Sequence, residues 1–321
     1  MASYRFHRGE PIAAELRRIA ADQTETALAE LDEEAPHEAV HQVRKRCKKV
    51  RALLRLVRSS NGSLYKRENA AYRDAARRIS DLRDATGFIE AFELLADHHP
   101  QVVDTDRFAP VRDGLVRQRD EVAGRDLDDA LAGVTSDLEA ARDRIGDWDV
   151  PDEGFDALAG GLARTYERAR DRMADAYDER TTAAFHEWRK RVKYHRYHVR
   201  LLQDCWAGVM KARRDEIHDL SDLLGDDHDL AELRAQLHED PERFGGAEVL
   251  SEFTALLDRH RARLQLDARG LGERVFAESP DDLAGRIGRY WEVWTEEPGD
   301  DEPLPDEAVA TYTPGEVVPA R

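Results

Sequence analysis

Residues 41–55 read HQVRKRCKKVRALLR, and residues 186–200 read HEWRKRVKYHRYHVR. A constant offset of 145 aligns His41 with His186, Arg44 with Arg189, Lys45 with Lys190, Arg46 with Arg191 and Lys48 with Lys193. Further along, Arg51 meets Arg196, Arg55 meets Arg200 and Leu56 meets Leu201. The register holds without a gap to Lys66 and Lys211, Asp74 and Asp219, Asp81 and Asp226, and Asp84 and Asp229, giving twelve identities in 44 positions. All but the leucine pair are charged residues or histidine. A duplicated helical unit kept for packing alone retains its core and drifts at its surface. Here the polar positions survived, which points to a shared ligand. All seven lysines lie in 45–66 or 190–211, and six of them form three offset-matched pairs, with Lys49 left over.

At 100° per residue, His41, Arg44, Lys45, Lys48, Arg51 and Arg55 fall within about 120° of arc, with Val43, Val50, Leu54 and Val57 opposite. The second copy sets His186, Arg189, Lys190, Lys193, Arg196 and Arg200 against Trp188, Val192, Val199 and Leu202. Each segment therefore predicts a helix with an apolar core face and a cationic stripe about 21 Å long at ~1.5 Å per residue. Residues 39–67 hold ten Lys or Arg and no acid, and residues 185–203 hold six against Glu187 alone. With those two segments set aside, the remaining chain carries −33, against −18 for the whole. Like charges at i,i+4 destabilise a helix, so two such stripes call for an anion or for acids from neighbouring helices. Arg offers a fork to phosphate oxygens and Lys a mobile point charge. Lys66 and Lys211, opening the next helix of each copy, are placed to reach such a ligand from the side.

The 321 residues include 42 Arg, 7 Lys and 67 acids. An acid-rich, Lys-poor surface resembles that of proteins from a high-salt cytoplasm. The first residues lack the apolar core of a signal peptide, and no apolar run reaches the ~20 residues of a membrane span. The chain is expected to be soluble and cytoplasmic, with no membrane partner. Cys47 and Cys205 have no metal-ligand spacing and are expected to be reduced, structural thiols. Helical periodicity dominates, predicting an all-α fold. The expected helices lie near 10–33, 37–59, 63–97 and 107–145, the last broken near Gly124. After a link from Gly146 to Gly154 they continue near 155–181, 184–206, 209–238, 247–277 and 281–294. The tail 295–321, with five prolines and eight acids, is expected to be disordered.

Several of these segments resemble the CHAD family, the conserved histidine α-helical domain, over roughly 5–294. They are VHQVRKRCKKVRALLRLVR at 40–58, DLRDATGFIEAF at 81–92, GLARTYERARDRM at 161–173, FHEWRKRVKYHRYHVRLL at 185–202, LLGDDHDLAEL at 223–233 and RYWEVW at 289–294. The resemblance implies two pseudo-symmetric four-helix-bundle repeats, about 5–148 and 152–294, with basic surfaces facing each other across a central cavity. It implies binding of inorganic polyphosphate without catalysis. By position, the family's histidine falls on His41 and His186. Its basic ligands fall on Arg44, Lys45, Lys48, Arg51 and Arg55, and on Arg189, Lys190, Lys193, Arg196 and Arg200. One position departs from the pattern: Arg83–Asp84 in the first copy is answered by His228–Asp229 in the second. Polyphosphate-metabolising enzymes are the partners, and polyphosphate granules the location, that this reading suggests.

An enzyme, a phosphohydrolase or its accessory subunit, is the competing class. No Gly-Lys-Ser/Thr of a P-loop occurs. No lysine has Glu at both −2 and −4, so the Glu-x-Glu-x-Lys of a triphosphate-tunnel hydrolase is missing as well. The expectation is no enzyme and no cofactor. Nucleic acid is the third class, disfavoured because Tyr194 and Tyr197 alone are placed for base stacking. Asp81, Asp84, Asp226 and Asp229 are read as orienting the cations, with a metal bridge to phosphate as the alternative. The run Asp226–Asp229 cannot share one helical face. His98–His99 is read as loop composition, and His195 and His198 as packing residues.

Overall fold

The computed structural model describes residues 4–79, 84–103, 106–123 and 128–297, apart from the side chains at 36, 37, 84–86 and 122–123. Every regular element among them is a helix. The first half holds α1 (Ile12–Glu33), α2 (Pro36–Leu56), α3 (Gly62–Arg78), α4 (Asp84–His98), α5 (Pro100–Val103), α6 (Ala109–Ala123) and α7 (Asp128–Asp143). The second holds α8 (Asp156–Glu179), α9 (Thr182–Leu201), α10 (Ala207–Glu239), α11 (Gly246–Val275) and α12 (Pro280–Glu296). Shifted by 145, the bounds of α1 and α2 fall within one residue of those of α8 and α9, and α3 starts level with α10.

The helix starts follow from local chemistry. Asn61 Oδ1 accepts from the Leu64 amide at 3.0 Å to cap α3, and Thr181 Oγ1 accepts from the Ala184 amide at 3.2 Å to cap α9. Ser279 caps α12 with Pro280 at its first position. Gly245 and Gly246 turn into α11 at φ +98° and +85°, angles that glycine adopts without steric cost.

The predicted 63–97 helix is two helices. The Ile79 amide bonds the Arg77 carbonyl, two residues back, which ends the ladder of α3. The two pieces also serve different cores. Leu64, Tyr72 and Ala75 of α3 join the larger buried cluster, whereas Phe88, Phe92 and Leu95 of α4 join a smaller one with Leu230, Leu233 and Phe253 of α10 and α11. The expected break near Gly124 lies outside the described residues, as do Asp81, Arg83 and the tail beyond Glu297. Neither cluster is confined to one half of the chain.

The apolar faces of both cationic helices are buried as their patterns predict. Val43, Val50, Leu54 and Val57 are at most 1% exposed, and so are Trp188, Val192, Val199 and Leu202. His195 and His198 are fully buried. His198 Nε2 donates to the Ala52 carbonyl at 2.9 Å, tying α9 to α2, and burial pushes its pKa down to about 3. Cys47 and Cys205 are free and buried, each with its thiol pushed up to about 12 by desolvation. The backbone of α8 packs directly on the end of α2. A Cβ added to Gly161 would lie 1.8 Å from the Leu56 carbonyl oxygen.

That contact gives the first prediction. Gly161→Ala must push two helix backbones apart and is expected to lower the melting temperature sharply or abolish folding. Gly285→Ala, on α12 with nothing within 4 Å of the new Cβ, is expected to be neutral or to stabilise by about 0.5–1 kcal/mol. Thermal melts of the two variants compare them; equal melting temperatures would remove the close packing as a constraint.

Candidate functional site

Between α2 and α9 lies a cleft of about 390 Å³. Helix α2 lines it with Arg44, Lys48 and Arg51, and α9 with His186, Arg189, Lys190, Lys193, Tyr194 and Tyr197. Helix α3 contributes Arg73, Ala76 and Arg77, α4 Gly87 and Phe88, and α10 His228, Asp229 and Glu232. Eight side chains with permanent positive charge thus face two carboxylates and two histidines. The cationic stripes converge because each helix buries its opposite face in the same large core.

Contacts within the wall hold the cations in place. Arg44 Nη1 donates to the Ala76 carbonyl at 3.1 Å, and Arg51 Nε to Asn69 Oδ1 at 3.2 Å. Asp229 sits 3.6 Å from Arg189 Nη2, and Lys190 pairs with Glu187. His186 Nδ1 lies 3.1 Å from His228 Nδ1, with the rings 4.4 Å apart. Burial, followed by Lys190 and Arg189, holds the His186 pKa below its ordinary value. Its cationic neighbours thus favour the neutral imidazole of His186.

Seven of the fourteen residues read from sequence line this cleft: Arg44, Lys48, Arg51, His186, Arg189, Lys190 and Lys193. The other seven do not. His41, Lys45, Lys66, Arg200 and Lys211 are exposed elsewhere on their helices, and Arg196 is half-buried near Asp222 at 3.7 Å. Arg55 stands behind the wall, 8% exposed. Its Nη1 donates to the Arg51 carbonyl and to Asn69 Oδ1, and its guanidinium lies 3.9 Å from the centre of the Tyr194 ring.

Arg73, Arg77, Phe88 and Glu232 escaped the sequence reading. Arg73 and Arg77 are one turn apart on α3, but the offset pairs them with His218 and Asp222, so the repeat offers no signal for them. On α10 those counterparts bind each other, His218 Nδ1 to Asp222 Oδ2 at 2.8 Å. The Asp226–Asp229 run fans out as its helical spacing requires. Asp227 is buried against Arg261 at 3.0 Å, Asp229 faces the cleft, and burial and Asp229 push Asp226 up to about 6. His98 and His99 pack on His260, with ring centroids 4.6 and 5.3 Å away. Among the described residues no group of three His, Cys, Asp or Glu side chains is disposed to hold a metal ion. No described helix is long and apolar enough to cross a membrane.

Residues 12–238 match the CHAD domain family model. Among solved structures the chain is similar to PptA from Streptomyces chartreusis, with a TM-score of 0.53 and 18% identity over 86% of this chain and 98% of that one. At that identity the likeness is one of fold. No curated protein matches the chain in sequence.

The placement of Arg55 yields a second prediction. Arg55→Lys keeps the charge but loses the planar fork and its stacking on Tyr194. It is expected to cost about 1–3 kcal/mol in urea unfolding, whereas Lys48→Ala, at the open cleft, leaves the unfolding midpoint near that of the wild type. Equal midpoints for Arg55→Lys and wild type would mean that Arg55 is not structural.

Proposed function

The chain belongs to the CHAD domain family, and from that premise we propose that it binds inorganic polyphosphate, or a closely related phosphate-rich polyanion, in the α2–α9 cleft without acting on it chemically. The observation that carries this reading is the convergence of Lys48 and Lys193, with Arg44, Arg51, Arg189 and Lys190, on one cleft. Guanidinium forks and ammonium groups are the donors that a chain of phosphates satisfies. Phosphate needs no base-reading edges, and the cleft supplies few stacking platforms. The Tyr194 ring already carries Arg55, and Tyr197 lies edge-on to Tyr4 with centroids 6.0 Å apart. Nucleic acid is therefore the weaker reading. Polyphosphate-metabolising enzymes are proposed as partners, in the cytoplasm.

Calorimetric titration of long-chain polyphosphate against RNA tests the reading. Lys48→Ala and Lys193→Ala are each expected to weaken polyphosphate binding by about 1.5–3 kcal/mol, since each removes one charge-assisted hydrogen bond. For a short oligophosphate the double variant is expected to be non-additive, because both residues share one ligand. Halved stoichiometry in the single variants, tighter binding of RNA, or release of orthophosphate would each overturn it.

The histidines give the pH dependence. In the free protein the His186 pKa is depressed, so its contribution to stability is lost as pH falls below about 6.5. A bound polyanion raises that pKa, so binding takes up a proton. Affinity is expected to tighten from pH 7.5 toward 5.5, by at most about tenfold per unit for one proton. His186→Asn is expected to flatten the profile, and an unchanged slope would remove His186 from the site.

A further inference from the structure

Arg58 follows the last turn of α2 and continues its cationic stripe past Arg51 and Arg55. It is 8% exposed, and its Nε and Nη2 are buried without a hydrogen-bond partner. It does not line the cleft. Facing it is the first part of α8, held close by two glycines. A Cβ on Gly160 would meet Ser59 Oγ at 2.7 Å, and one on Gly161 the Leu56 carbonyl. The next two turns of α8 bring Arg164 and Arg168, four residues apart and so on one face.

These three arginines act on one another. Burial, then Arg164 and Arg168, push the Arg58 guanidinium down to about 10, so it is still charged at neutral pH. Burial, then Arg164 and Arg191, lower Arg168. The one favourable influence among the strongest on either is the Tyr65 phenol. No described acid pairs with Arg58, Arg164 or Arg168, although 67 acids are available in the chain. Other half-buried arginines of the fold have acid partners, as Arg46 with Glu30 at 2.7 Å and Arg213 with Glu278 at 3.4 Å. A buried guanidinium with unused donors, flanked by like charge, is complementary to an oxyanion that accepts from several forks at once.

We propose that Arg58, Arg164 and Arg168 form a second oxyanion site outside the cleft, which takes a tetrahedral phosphate-class anion, either free or as one group of a longer chain. Arg164 is exposed and Arg168 half-buried, so the anion enters from their side and draws the guanidinium of Arg58 to it. The site stands independently of what fills the cleft.

The test is thermal melting in inorganic phosphate against chloride at matched ionic strength, for the wild type, the Arg164→Gln/Arg168→Gln double variant and Lys193→Ala. Phosphate is expected to raise the melting temperature of the wild type and of Lys193→Ala. The double variant is expected to lose at least half of that rise. In chloride alone it is expected to melt no lower than the wild type, because the two charges removed repel each other and Arg58, and no described acid pairs with them. No rise in the wild type, more than half the rise kept in the double variant, or an equal loss in Lys193→Ala would overturn the proposal. A parallel titration with long-chain polyphosphate separates the two sources of the anion. Weaker binding by the double variant assigns the site to a group of the chain, and unchanged binding assigns it to free phosphate.

Discussion

Two helices whose cationic stripes are interrupted by one acid, Glu187, repel each other, and the apolar packing behind them has to hold their charged faces together. Helices α2 and α9 bury valine, leucine and tryptophan on the far side of each stripe. They are then joined by a neutral His198 donating to the Ala52 carbonyl. Protonating that imidazole would put another positive charge beside Arg55 and Arg58, both of which already depress its pKa. Gly161 lets α8 press on the end of α2 closely enough to brace it. Repulsion across the cleft is thus balanced by packing that a charged or bulkier side chain at either point would undo.

Much of this was legible in the sequence. The 3.6-residue period identified the helical segments, although it ran α3 and α4 together, and it identified the buried side of both cationic segments, because amphipathicity is a local property. Membership of the cleft depends on tertiary placement. Arg55 lies on the same stripe as Arg51, yet Tyr194 and Asn69 close over it, and neither is adjacent in sequence. Arg73 and Arg77 were invisible for the opposite reason: offset-matched identity retains only what both copies share, and α3 and α10 diverged to Arg–Arg and His–Asp. The split of the expected 63–97 helix came from a choice between two cores, which periodicity alone does not encode.

The divergence of α3 from α10 also makes the cleft lopsided. One wall adds Arg73 and Arg77, and the other Asp229 and Glu232. An acidic wall beside a cationic floor discriminates by proximity: an anion held deep, against α2 and α9, keeps its distance from the carboxylates, whereas one resting at the α10 edge is repelled. The −33 carried outside the two basic segments acts in the same direction at long range. Salt shortens that repulsion more than it weakens close, partly desolvated contacts.

Cys47 lies within α2 and Cys205 in the turn just beyond α9, and both thiols are buried, with pKa values pushed up to about 12. Neither reacts while its segment stays docked, since the thiolate is the reactive species. Alkylation of each therefore proceeds only through opening of the segment that covers it. The chain carries two intrinsic reporters, one per half, of how often α2 and the turn that follows α9 leave the core, and of whether a bound anion slows the two departures together or separately.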